Sequence, residues 1–229
     1  MNLDIHYRLL AMNEIDELKD LGYSWTNLYD IIFKFEEQLA EYTGAPYAVT
    51  TDCCTHAMEL CFRYLESIGE KPTDLISIPK HTYLSVPMML KKINIPFNYY
   101  DNDWIGEYQF HGSPVWDSAR LLAEQMYIGK DFQCLSFGVG KPLQLGRGGA
   151  ILTSSKSAYE WLSRARSDGR DLKISPWKDD TYEFIGYHYN MTIEQAAKGI
   201  IMLDRYETNV DIFAGAKDIY PDCSTIKIG

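Results

Sequence analysis

Residues 135–153 read LSFGVGKPLQLGRGGAILT, two apolar runs joined by a stretch with five glycines (138, 140, 146, 148 and 149) and a single lysine, Lys141. Both flanking runs have strand character, so the order here is strand, glycine-rich loop, strand. That order argues against two phosphate motifs. A Walker A loop needs a glycine five residues before its second glycine and a hydroxyl residue after the lysine; Leu135 and Pro142 stand at those positions. A dinucleotide-binding loop joins a strand to a helix, whereas GRGG runs directly into the strand AILTS. A reactive amine suits the setting better. Schiff-base chemistry needs a partly desolvated amine on a rigid strand end, and surrounding glycines let other groups approach closely.

Outward from this block the pattern alternates. NLYDIIFKFEEQLAEYTG (residues 27–44) places Leu28, Ile31, Ile32, Phe35, Leu39 and Tyr42 on one helical face, with Asn27 as a cap at its start and Gly44 at its end. APYAVTT is a short strand, THAMELCFRYLESIG a helix closed by glycine, and DLISIP a buried strand. VPMMLKKIN reads as a helix, PFNYYD as a strand, and SPVWD as a short strand ending in an acid. SKSAYEWLSRARSDG and TIEQAAKGIIMLDRYETNV are the last clear helices. Such alternation predicts an α/β fold with a mainly parallel sheet, in which ligands gather at the carboxyl ends of the strands. TDCCTHAM, WDSAR and SFGVGK each follow an apolar strand, so they are expected to converge on one cleft. The expected domain spans residues 1–210; the tail, 211–229, is too short to be a domain of its own.

Composition narrows the partners. A net charge of −10 argues against a dedicated nucleic-acid binder. The most basic stretch, SRARSDGRDLK, is interrupted by aspartates and reads as solvated surface. The five cysteines form no C-x-x-C pair, so no metal site is expected. The N-terminus lacks the apolar core of a signal peptide, and no run approaches the roughly 18 apolar residues of a membrane span. A reduced, soluble, cytoplasmic protein with no membrane partner is the expectation.

A lysine in this setting raises pyridoxal 5′-phosphate, which also needs an acid at its ring nitrogen, an aromatic on its face and a phosphate cradle. Asp117, ending PVWD, is the candidate acid; it reads equally as the cap of a helix over SARLLAEQM. Thr55 opens a helix, whose free N–H groups and dipole favour phosphate, although an ordinary cap explains it alone. Tyr83, in PKHTYLSV, is placed to stack, and a lone tyrosine after a strand is more often core. The order Thr55, Tyr83, Asp117, Ser136, Lys141 carries more weight than any one of them.

In that order the residues resemble the sugar-nucleotide aminotransferases of the DegT group, within the aspartate-aminotransferase fold superfamily. FEEQLAEYTGAPYAVTTDCCTHAMEL is similar to the family segment leading to a Ser-Gly-Thr phosphate cradle. IPKHTYLSVP resembles the segment that supplies the stacking aromatic, and VWDSARLLAEQM the EDAAQ segment. LSFGVGKPLQLGRGGAILT is similar to the SF…K…GEGG block, the most specific part of a likeness that runs from about residue 35 to 207. RARSDGRD and YEFIGYHYNMTIEQAAKGIIMLDRYE match later segments.

The resemblance implies a three-layer PLP-dependent transferase large domain, with pyridoxal 5′-phosphate bound as a Schiff base to Lys141. It makes Asp117 the partner of the ring nitrogen and Tyr83 the stacking ring, with Ser136, Thr55 and Cys54 at the phosphate. Arg120 would stand near the ring hydroxyl, and His188 would reach the phosphate of a second subunit. The implied substrates are a keto-sugar nucleotide and an amino-acid donor such as glutamate, handled by a homodimer with shared sites. Several positions depart from the pattern. Cys53 and Cys54 replace Ser-Gly, Arg120 replaces Gln or His, Arg147 the glutamate of GEGG, His188 an asparagine, and Asn190 an arginine. Family members continue into a smaller C-terminal domain, which is expected to be largely absent here. The alternative is therefore a cofactor-binding subunit, non-catalytic or part of a split enzyme, whose partner supplies that domain.

Overall fold

The computed structural model describes residues 14–174, 176–207 and 215–227. The expectations about the extreme N-terminus and the 210/211 boundary lie outside these residues. The helices are α1 (Glu14–Asp20), α2 (Asp30–Thr43), α3 (Cys54–Ser67), α4 (Ser85–Lys92), α5 (Lys156–Ala165), α6 (Ile193–Asp204) and α7 (Ala216–Ile219). The strands are β1 (Tyr47–Thr51), β2 (Ile76–Pro79), β3 (Phe97–Tyr100), β4 (Tyr108–Gln109), β5 (Val115–Asp117), β6 (Phe132–Ser136) and β7 (Gly149–Thr153).

At α2 the apolar stripe and the glycine stop hold, but the expected Asn27 cap does not: Tyr29 precedes the first turn and no side chain caps it. Ile31, Ile32, Phe35 and Leu39 are buried on one face, while Leu28 falls before the helix and is half exposed. Asn27 accepts from the N–H of Tyr29, and Asp30 accepts from the N–H groups of Thr26 and Asn27. Gly44 ends the helix at φ +76°, a conformation that L side chains rarely adopt.

One sheet runs β1-β7-β6-β5-β4, and β2 pairs with β3. Reciprocal backbone hydrogen bonds of 3.0 Å between Ser77 and His111 join β2 to the chain just past β4. The expected mainly parallel sheet is instead mixed. Only β5·β6 and β2·β3 pair in parallel, and β7 lies antiparallel between β1 and β6. Connection length explains this. Parallel neighbours need a long crossover, but β6 reaches β7 through a helix-free glycine loop, and β4 reaches β5 through a tight turn. Even so β1, β5 and β6 point the same way. Their carboxyl ends meet the start of β7 along one edge.

Helices cover both faces. Successive residues of β7 alternate between two cores: Ile151 packs with Leu60, Phe62 and Leu162, and its neighbours Ala150 and Leu152 with Ile32, Phe35 and Ile200. Arg166, just after α5, is fully buried; it pairs with Glu36 of α2 and donates to the carbonyl and hydroxyl oxygens of Thr50 in β1.

No helix forms over SARLLAEQM. The segment passes along the end of α2, where the N–H groups of Gln125 and Tyr127 bond the carbonyls of Tyr42 and Thr43 at 2.9 Å. Those carbonyls lack helical partners, so the segment completes α2 instead of coiling.

Candidate active site

The common strand edge opens onto a cavity of about 360 Å³. Thr55 and Cys54 from the start of α3, Tyr83 before α4, Asp117 ending β5, Ser136 ending β6 and Lys141 in the glycine loop all line it. Six of the eight residues singled out in the sequence therefore meet here. Arg120 and His188 do not. Arg120 sits in the turn after β5, its N–H bonded to the carbonyl of Gly106. His188 has its ring on the surface, bonded to Asp168 at 3.0 Å. A larger groove, about 600 Å³ and lined by Leu18, Tyr23, Trp25 and Phe33, contains none of these groups.

The acid end is built by cross-strand pairing. Asp117 lies directly opposite Tyr108 in the β4·β5 ladder. The Tyr108 hydroxyl donates to Oδ2 at 2.9 Å, and the N–H of Ala119 donates to Oδ1 at 2.9 Å. Because Tyr108 donates forward, the Thr82 hydroxyl, 2.8 Å away, donates to Tyr108. Burial raises the Asp117 carboxyl above its ordinary value, against the opposing Ala119 N–H, the Lys141 ammonium and Tyr108. Asp117 is thus no helix cap; it is a buried carboxylate on the cavity wall. Burial, and then the Asp117 charge, also push the Cys54 thiol and the Tyr108 hydroxyl well up, so both stay protonated.

At the other end α3 begins without a side-chain cap on its first N–H groups. Gly149 makes this possible. A Cβ there would lie 2.5 Å from the N of Cys54 and 2.6 Å from the carbonyl carbon of Cys53, so strand and helix start in contact. The hydroxyl of Thr55, 2.6 Å from that of Ser85, and Ser136 complete this wall. Arg147, which the sequence showed only as a departure from GEGG, is also at the rim. Its guanidinium holds the side chain of Asp52 at 2.8 Å and the Asp52 carbonyl at 3.1 Å.

Asp52, Cys53 and His56 offer three possible metal ligands within 4.8 Å of one another. Arg147 already neutralises the carboxylate, however, and His56 Nδ1 bonds its other oxygen at 2.6 Å. Desolvation alone would depress His56, but hydrogen bonds with Asp52 and Cys53 outweigh it and raise the imidazole to about 9. Asp52 is held low by His56 and Arg147 in spite of burial. The stabilisation from the charged His56 is therefore complete below its unfolded value near 6.5 and is lost as pH rises through about 9. Asp52's share is lost only in acid. Thermal unfolding should show the midpoint falling across the alkaline step, and His56→Gln should flatten that step.

Sequence reasoning missed Tyr108 and Tyr220. Tyr108 stands in a two-residue strand too short for any periodicity. Tyr220 lies in the tail, yet its hydroxyl accepts from Lys141 Nζ at 2.9 Å.

Comparison with known proteins accounts for most of the chain. GDP-perosamine synthases of Escherichia coli O157:H7 and Caulobacter vibrioides are each 24% identical to it, over 82% and 78% of this chain and 62% and 58% of their own lengths. The chain thus spans about three fifths of these relatives. Among solved structures, Helicobacter pylori PseC, an aminotransferase involved in the biosynthesis of pseudoaminic acid, superposes with a TM-score of 0.65 at 16% identity. It covers 82% of this chain, which spans 61% of it. A candidate sugar aminotransferase of Streptococcus pneumoniae in its PLP form gives 0.64 at 21% identity, over 85% of this chain and 64% of its own. These likenesses confirm the transferase fold. The family model matches residues 10–103 and 123–220, leaving out the segment that holds β4, β5 and Asp117. Among the described residues no helix is long and apolar enough to cross a membrane. With both matched segments framing the lysine cavity, the chain belongs to the DegT/DnrJ/EryC1/StrS aminotransferase family.

Proposed function

We propose that this protein is a pyridoxal 5′-phosphate-dependent aminotransferase that moves an amino group from an amino acid, such as glutamate, to a keto-sugar nucleotide. One observation carries the reading: a primary amine, a buried carboxylate and an uncapped helix start with two hydroxyls line a single cavity. This donor set fits the cofactor. Thr55, Ser136 and the first N–H groups of α3 are the groups to hold a phosphate. Asp117 would keep a proton on the ring nitrogen, because a buried carboxylate without a cation opposite is costly. Tyr83, 59% exposed and on the cavity wall, offers a ring face. When bound, the cofactor supplies an electron sink for charge that develops at the donor's α-carbon. Lys141 would be the amine that holds it and the base positioned to carry the α-proton.

A homodimer with shared sites belongs to the same proposal. His188 presents its ring to solvent away from its own cavity, the position required of a group that serves a second copy.

The test is spectroscopic. Pyridoxal 5′-phosphate added to the purified chain should give a visible absorption band that Lys141→Ala lacks; identical spectra would sink the proposal. Loss of the band on adding glutamate would separate an aminotransferase from a chain that binds the cofactor without turnover.

A further inference from the structure

The C-terminal segment brings to Lys141 a side chain that none of the assignments above uses. Lys141 Nζ donates to the Tyr220 hydroxyl at 2.9 Å and lies 5.6 Å from the centre of its ring. That ring is held on two sides. It stacks on Trp104 at 5.8 Å and 17°, and it meets Tyr83 edge-on at 6.3 Å.

The backbone around it is clamped as well. His81 Nδ1 donates to the Tyr220 carbonyl at 3.0 Å, and the N–H of Cys223 bonds the carbonyl of Lys80 at 2.8 Å. The N–H of Ala216 bonds the carbonyl of Trp104 at 3.1 Å. Lys80 and His81 belong to the same short connection that delivers Tyr83. Trp104 opens the segment between the two stretches that the family model matches.

We propose that Tyr220 is a positioning residue for Lys141, its hydroxyl holding the amine in one place until a carbonyl compound claims it. The physical basis is direct. An ammonium that donates to the hydroxyl must give up that bond before it can react with an electrophile. The aromatic ring adds a weaker attraction to the same cation. Tyr220 thus fixes where the amine waits and keeps it unreactive toward other electrophiles. The relevance to catalysis rests on the aminotransferase reading, but the contact can be tested without it.

Competitive labelling of the cofactor-free, full-length protein with acetic anhydride, followed by peptide mass spectrometry, reads how readily Lys141 reacts. Tyr220→Phe keeps the ring and removes only the hydroxyl. At about pH 7.5 Lys141 should be labelled about two- to tenfold faster in this variant, the range of one typical hydrogen bond's net contribution. Tyr220→Leu, which also drops the ring, must move the rate in the same direction, and thermal unfolding confirms that each variant is folded. Equal rates in wild type and both variants overturn the proposal. So does an increase confined to Tyr220→Leu, which would mean that the ring only covers the lysine. A Tyr220 effect without a visible band on adding pyridoxal 5′-phosphate would leave Tyr220's role standing and remove the aminotransferase reading. A band without the effect would do the reverse.

Discussion

Asp117→Asn is expected to lower amino transfer by about 10²- to 10³-fold, the loss typical of removing one preorganised electrostatic group from a buried site, while leaving the fold as stable or slightly more so. The two halves of this result have one cause. Asp117 is a carboxylate on the floor of an apolar region, held by one hydroxyl and one N–H and raised by burial. A carboxyl raised in the folded state opposes folding at neutral pH, because the unfolded chain ionises more readily. An amide of the same shape relieves that cost but supplies no negative charge. Steady-state kinetics on the variant, beside its melting curve, check both halves. A variant that lost activity and stability together would show Asp117 to be a structural brace.

The second large effect concerns the interior. Glu36→Gln should destabilise the protein by about 3–5 kcal/mol, the usual outcome of leaving one member of a buried ion pair uncompensated. Arg166 is fully buried, and its guanidinium ties α2, β1 and the end of α5 through Glu36 and Thr50. Its Nε has no hydrogen-bond partner, so the pair starts from an imperfect balance. Replacing both residues, Glu36→Met with Arg166→Leu, should therefore recover most of the loss, since apolar replacements of buried pairs are often neutral. Urea unfolding of the two single variants and the double variant gives the comparison. Strictly additive losses would contradict it.

Arg166 also shows where sequence reading stops. It lies in a basic cluster that reads as solvated surface, and nothing local says otherwise, because Glu36 is 130 residues away. The elements α2, α3 and α6 were legible because each buries a full stripe at helical spacing. The meeting of Thr55, Tyr83, Asp117, Ser136 and Lys141 was legible because strand ends collect on one edge. The sheet's mixed pairing was harder. It follows from the absence of a helix between β6 and β7, which the strand–loop–strand reading of residues 135–153 already contained. Tyr108 and Tyr220 could not be found at all. Their roles come from a cross-strand neighbour and a long-range docking, neither of which leaves a periodic trace.

The contact at Gly149 has a mechanical consequence. With no room for a methyl group between the start of β7 and the first turn of α3, strand and helix must move as one block. The wall carrying Thr55 and Ser136 is therefore stiff. The rest of the lining comes from the connections that carry Tyr83, Val139, Lys141 and Arg147. The strand–helix block sets a fixed origin from which the reach of anything entering the cavity is measured.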